Sequence, residues 1–158
     1  MVYLMSNLII REAEFSDNNK ERYLLSRIWK TDKPKLLFIM HNPSNADDKF
    51  DDPTVRRLIG FTSKFDYGGF FVANLFTQIT SNPKAVDTSK GLTNKSLKII
   101  EKMIHTVDQV VYAWGNKKLE PDELRKIILN PLSFGKNKDG SPKHPLYLNS
   151  DSILLSFR

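Results

Sequence analysis

Three short apolar runs lie along the chain at residues 35–40, 70–76 and 107–114, each bounded by turn signals. A strand written as an unbroken apolar run, rather than in alternation, is buried on both faces of its sheet. Something must therefore cover both faces, and the intervening segments supply it. Asp52-Pro53-Thr54 places a capping Asp before a first-turn Pro, and Val55, Leu58, Ile59 and Phe61 or Thr62 follow at helical spacing until Tyr67-Gly68-Gly69. Thr93 caps a second stretch with an apolar stripe at Leu97, Ile100 and Ile104. Pro121 opens a third helix to about residue 129, and residues 130–134 read as a fourth short strand. Upstream, residues 7–15 and 22–29 form a predicted antiparallel hairpin, closed off by the Thr31-Asp32-Lys33-Pro34 turn. Strands alternating with helices imply a mainly parallel sheet. The predicted fold is a single three-layer α/β/α domain over residues 1–158. Its centre is a four-stranded, mainly parallel sheet with N-terminal antiparallel strands added.

Composition narrows the chemistry. The 158 residues include no Cys, which excludes disulfides, thiolate nucleophiles and cysteine zinc sites and fits a cytoplasmic protein. No apolar run approaches the roughly 20 residues a membrane span needs, and the N-terminus lacks the basic lead of a signal peptide. The net charge of +6 is uneven: residues 84–143 carry twelve basic and seven acidic side chains. Such an excess suits a nucleic acid or nucleotide partner, and equally a solubilising surface.

In open α/β sheets ligands bind beyond the carboxyl ends of the strands. The clusters His41-Asn42-Pro43-Ser44, Asn74, Trp114-Gly115-Asn116 and Lys143-His144-Pro145 all fall at or after predicted strand ends. An Asn amide presents a donor beside an acceptor, so Asn42 and Asn74 suit reading a nucleobase edge or placing a water; each also suits bonding its own turn. His144 sits between Pro142 and Pro145, in a loop stiff enough to present an imidazole to a developing anion. His41 is placed for similar work, whereas His105 at a helix end looks ordinary. Phe50, Tyr67 and Phe76 flank the expected cleft as stacking or core aromatics. Lys117, Lys118, Lys136, Lys138 and Lys143 gather on the same edge as a phosphate-contacting rim. The acidic cluster Asp47, Asp48, Asp51 and Asp52 has three readings: a magnesium site, a general base at Asp47, or helix capping with solvated charge. No Walker loop, zinc-ligand spacing or Gly-x-Ser-x-Gly elbow is present.

Taken together, Arg22-Tyr23-Leu24, Asn42-Pro43-Ser44-x-Ala46-Asp47, Asp52-Pro53-Thr54-Val55-Arg56-Arg57, Asn74-Leu75-Phe76, Ala113-Trp114-Gly115 and Gly140-x-Pro142-x-His144-Pro145-Leu146-Tyr147-Leu148 resemble the DUF1643 family. The motif order is more distantly similar to the uracil-DNA glycosylase superfamily. That resemblance implies an Asn that positions the attacking water, matched by Asn42, and an Asn that reads the pyrimidine edge, matched by Asn74. It also implies a His that supports the departing base, matched by His144. Met40 stands where those enzymes carry a leading Gly, and Leu146 where they carry Ser. The acidic stretch after Asn42 would repel a phosphate backbone.

The expected function is therefore recognition of a nucleobase and cleavage of its N-glycosidic bond, in DNA or a nucleotide, without metal or organic cofactor. Asn42, Asp47 and His144 are the expected catalytic residues. His41, Ser44, Phe50, Asn74, Trp114, Lys136, Lys138 and Lys143 are the expected substrate contacts. The competing expectations are a non-catalytic nucleobase or nucleic-acid binding module, and metal-dependent nucleotide chemistry at the acidic cluster.

Overall fold

The computed structural model describes residues 8–89, 91–115 and 118–158. The described strands are β1 (Ile10–Phe15), β2 (Arg22–Ile28), β3 (Lys35–Met40), β4 (Gly69–Asn74), β5 (Gln109–Tyr112), β6 (Leu132–Ser133) and β7 (Leu155–Ser156). The α-helices among the described residues are α1 (Pro53–Lys64), α2 (Asn94–Ile104) and α3 (Asp122–Ile127). Single 3-10 turns occupy Pro83–Ala85 and Pro145–Tyr147. The strands form one mixed sheet in the order β1-β2-β4-β3-β5-β6-β7. The pairs β4/β3, β3/β5 and β5/β6 are parallel; β1/β2, β2/β4 and β6/β7 are antiparallel. Among the described residues no helix is long and apolar enough to cross a membrane.

The unbroken apolar run of β3 has the expected cause. Leu37 and Ile39 join a core with Ile100 and Met103 of α2 and Leu124 of α3. Leu36, Phe38 and Met40 join a second core with Val55, Leu58 and Phe61 of α1. Successive side chains of a strand point to opposite faces, so helices cover the sheet on both sides. The caps also act as read: Val55 N–H donates to the Asp52 side chain at 2.9 Å, and Ser96 N–H to Thr93 Oγ1 at 3.1 Å.

The turn from α1 into β4 depends on Gly68. Its carbonyl accepts from the N–H groups of Trp29 and Lys30, and its own N–H donates to Pro34. A Cβ there would lie 2.0 Å from the Lys30 carbonyl oxygen, so only glycine permits this approach of the hairpin to the α1–β4 turn.

The end of the chain adds an element that the sequence does not signal. Residues 149–158 carry no readable period, yet β7 pairs with β6 and Phe157 inserts into the core against Tyr112, ring centroids 5.1 Å apart. A two-residue strand is too short to show alternation; its pairing is set by neighbours distant in sequence. The formal strands are also shorter than the apolar runs. Leu75 and Phe76 lie outside β4 but continue the ladder, donating to the Met40 and His41 carbonyls.

Candidate functional site

Met40 of β3 registers against Asn74 of β4, so these parallel strands end side by side at one edge of the sheet. A cavity of about 430 Å³ opens there, within the size range of small-molecule sites. His41, Asn42 and Ser44 line it from the loop after β3, and Asn74 from the last position of β4. Asp52 to Val55 contribute the start of α1, and Thr80, Ser81 and Pro83 one side. His144, Leu146 and Tyr147 close it from the C-terminal turn, and Arg22 reaches it from β2. The carboxyl edge thus gathers Asn42, Asn74, His41, Ser44 and His144.

Asn74 is 3% exposed, and neither its Nδ2 nor its Oδ1 has a hydrogen-bond partner. A buried amide left unpaired costs about 1–3 kcal/mol, and Asn74 is one of the residues that line the cavity. Asn42 is the opposite case. Its Nδ2 donates to the carbonyls of Pro43 and Thr80, both at 2.9 Å, and its Oδ1 lies 3.0 Å from His41 Nδ1. Its amide is committed to joining the β3 loop to residues 78–80. Thr80 N–H returns a bond to the Pro43 carbonyl at 3.0 Å, which stiffens the same junction.

His144 is half-buried, and its Nδ1 accepts from Leu146 N–H at 3.2 Å. Burial pushes its pKa below the ordinary histidine value, His41 pushes the same way, and Asp52 opposes. The loop that carries it is anchored twice. Arg57 of α1 donates to the carbonyls of Pro145 and Leu148, and Gly115 N–H donates to Pro142 at 3.1 Å. Gly115 has φ 59°, and a Cβ there would meet His144 Cβ at 3.0 Å, which explains the glycine after Trp114. His41 is 5% exposed and packs on Phe76. Its pKa is also lowered, by burial first and by Lys118, against the Asn42 hydrogen bond.

Other expected contacts lie elsewhere. Trp114 does not line the cavity: it is fully buried against Tyr112 and its Nε1 donates to the Lys118 carbonyl at 2.7 Å. An indole at a strand end serves the core when its face meets another buried ring. Asp47 sits beside a separate shallow concavity, and its Oδ1 accepts from the N–H groups of Lys49 and Phe50. Those two bonds hold its pKa below the usual carboxylate value. Phe50 is 51% exposed outside the cavity wall. Lys136, Lys138 and Lys143 are not among the lining side chains; the Lys136 ammonium lies over the Phe157 ring at 4.6 Å. Lys117 falls outside the described residues.

Asp47, Asp51 and Asp52 each have separate partners. Asp51 pairs with Arg27 at 2.7 Å and Arg11 at 3.1 Å, Asp52 caps α1, and Asp47 closes its own turn. Among the described residues no three His, Asp or Glu side chains converge as a metal site.

Arg22 is the residue that sequence reasoning missed, although it opens the first quoted motif. It is 4% exposed, Nη1 donates to the Ala46 carbonyl at 2.9 Å, and Nε is buried without a partner. Burial lowers its pKa to about 10, with Asp52 opposing, so it remains a cation at neutral pH. An arginine inside an apolar hairpin strand was the available signal. A second concavity, about 370 Å³, lies at the amino end of β5 between Ile104 and Asn130. None of the buried unpartnered polar atoms lines it, whereas Arg22 and Asn74 both line the first.

A family model described as "Protein of unknown function (DUF1643)" matches residues 22–146. No curated protein and no solved structure matches the chain.

Proposed function

The chain belongs to the DUF1643 family, and we propose that its cavity holds a nucleobase and that the protein cleaves the N-glycosidic bond of that base, in DNA or in a nucleotide. The observation that carries this reading is the Asn74 amide, buried and unpartnered in both its atoms, on a residue that lines the cavity. A base edge with an acceptor beside a donor would satisfy both, and Arg22 Nε offers a further donor. His144 lines the same cavity and would support the departing base. The similarity of motif order to uracil-DNA glycosylases, and with it a three-layer α/β/α arrangement of that type, belongs to the same reading.

A second reading, a nucleobase-binding module without catalysis, is favoured by one observation. Asn42, the expected water-positioning group, spends its amide on the loop.

Base release from uracil-, thymine-mismatch- and modified-pyrimidine-containing DNA, with free nucleotides alongside, separates the two. Asn74→Asp replaces a donor by an acceptor and is expected to weaken binding of a base ten- to a hundredfold, the equivalent of about 1–3 kcal/mol. His144→Ala is expected to lower the rate while leaving ground-state binding nearly unchanged. Binding without base release from any substrate would leave the module. A DNA partner predicts affinity that falls steeply with salt and falls again on joint replacement of Lys136, Lys138 and Lys143 by Ala. Salt-independent binding would point to a free base or nucleotide.

A further inference from the structure

We propose that His41 and His144 form a complementary acceptor–donor pair across the cavity, His41 accepting a proton through Nε2 and His144 donating through Nε2–H, with Asn42 as the positioning residue that fixes the first tautomer. This rests on the N-glycosidase reading for its chemistry, but not for its geometry.

The assignment follows from the hydrogen bonds. Asn42 Nδ2 faces two carbonyl oxygens, of Pro43 and Thr80. Carbonyls only accept, so the amide nitrogen must sit there and Oδ1 must be the atom 3.0 Å from His41 Nδ1. Oδ1 also only accepts, so His41 carries its proton on Nδ1 and, when neutral, keeps a lone pair on Nε2. His144 is fixed the other way. Its Nδ1 accepts from the Leu146 backbone N–H, so its proton resides on Nε2. Both histidines line the one cavity with Asn74. The pair would split the work of hydrolysis. Water attacks the anomeric carbon and gives a proton to His41 Nε2. The glycosidic bond breaks, its electron pair leaves with the base as an anion, and the neutral His144 Nε2–H hydrogen-bonds that anion; the proton taken up by His41 then returns through solvent to the base. One water is consumed, and free base and a sugar hydroxyl are produced. His41 thereby takes the place that sequence reasoning gave to Asn42.

The groups facing His41 are Asn42, Phe76, Lys118 and His144; those facing His144 are Asp52 and His41. Burial and mutual repulsion favour two neutral rings. Both folded values lie below the ordinary one, so the neutral pair is complete above the usual histidine range. Stability falls as pH drops from the usual histidine range toward the folded values, and activity follows only as the folded rings themselves take up protons.

The test is long-range proton–nitrogen correlation of the imidazoles in the nitrogen-15-labelled full chain above pH 7.5, with assignments from His41→Gln, His144→Gln and His105→Gln. The expected spectrum shows His41 protonated on Nδ1 and His144 on Nε2. Free histidine prefers the Nε2–H form, so His41 is the diagnostic ring. Asn42→Ala is expected to return His41 to Nε2–H. In the base-release assay His41→Gln is expected to slow turnover roughly 10²–10⁴-fold with base binding retained. A wild-type His41 protonated on Nε2, or an unchanged His41 spectrum in Asn42→Ala, overturns the pair. Wild-type spectra as expected with no base release overturn only the reaction, and leave the pair as a donor and an acceptor for a bound base.

Discussion

Arg27→Met is expected to cost about 3–5 kcal/mol of folding stability, the usual penalty for removing one partner of a buried ion pair. The Arg27 side chain is fully buried. Its Nε donates to Asp51 at 2.7 Å, Nη1 to the Ser26 carbonyl at 2.8 Å, and Nη2 to the carbonyls of Asp47 and Phe50. One guanidinium thus ties residues 47–51, the descent from the cavity loop to the α1 cap, onto β2. Methionine keeps most of the volume, so the loss is polar rather than a void. For a chain of this size the shift in Tm is roughly 6–20 °C downward. Arg11→Met supplies the control, because Arg11 meets Asp51 with a third of its side chain in water; its cost is at most about 1 kcal/mol. Equal thermal shifts for the two variants would sink the argument.

The pH dependence follows with its sign. Burial alone would raise the Asp51 pKa, but Arg27 and Arg11 outweigh it and the folded value is lowered. A carboxylate held lower in the folded state stabilises above its unfolded pKa and loses that contribution as pH falls through the folded value. The acid limb of the stability curve should therefore flatten in Arg27→Met, measured by thermal unfolding from neutral pH downward.

Asn74→Leu is expected to do the reverse of an ordinary core substitution: to raise stability while abolishing recognition. The amide is 3% exposed and both its polar atoms lack partners. Leaving such a group unpaired costs about 1–3 kcal/mol, and an apolar side chain of similar size removes that cost. Tm should rise by roughly 2–12 °C. Binding of a base that uses both amide atoms should fall by at least ten- to a hundredfold. A residue kept for its fold would lower both quantities when replaced. Thermal unfolding and base titration on the same sample distinguish the cases, and a Tm that drops with Asn74→Leu would show the amide to be structural.

Asn42 and Asn74 show what sequence can and cannot carry. Both are asparagines after an apolar run, and both sit at the edge where parallel strands end. Asn42 has two local partners, the Pro43 carbonyl and His41 Nδ1, that Asn74 lacks. The long-range part of the difference is Thr80, 38 residues beyond Asn42, whose carbonyl occupies one amide and has no counterpart at the other. Trp114 and His144 are a similar contrast: Trp114 turns to Tyr112 in the core, while Gly115 leaves room for the His144 loop to reach the cavity. Arg22 and Arg27 are five positions apart on one strand, yet one lines the cavity and the other binds the acidic loop.

The sequence by itself determined the mixed α/β class, the hairpin, the three principal parallel strands, two capped helices, and the edge at which polar residues gather. Those follow from periodicity and capping, which are written within a few residues of where they act. The tertiary structure alone decided the pairing of β7, the dispersal of the acidic residues, and which amide is spent and which is left open. The pairing of β7, the capture of Asp51 by Arg27 and Arg11, and the Thr80 carbonyl on Asn42 each depend on a partner two dozen or more residues away, whose direction of approach is set only when the sheet and its loops close together.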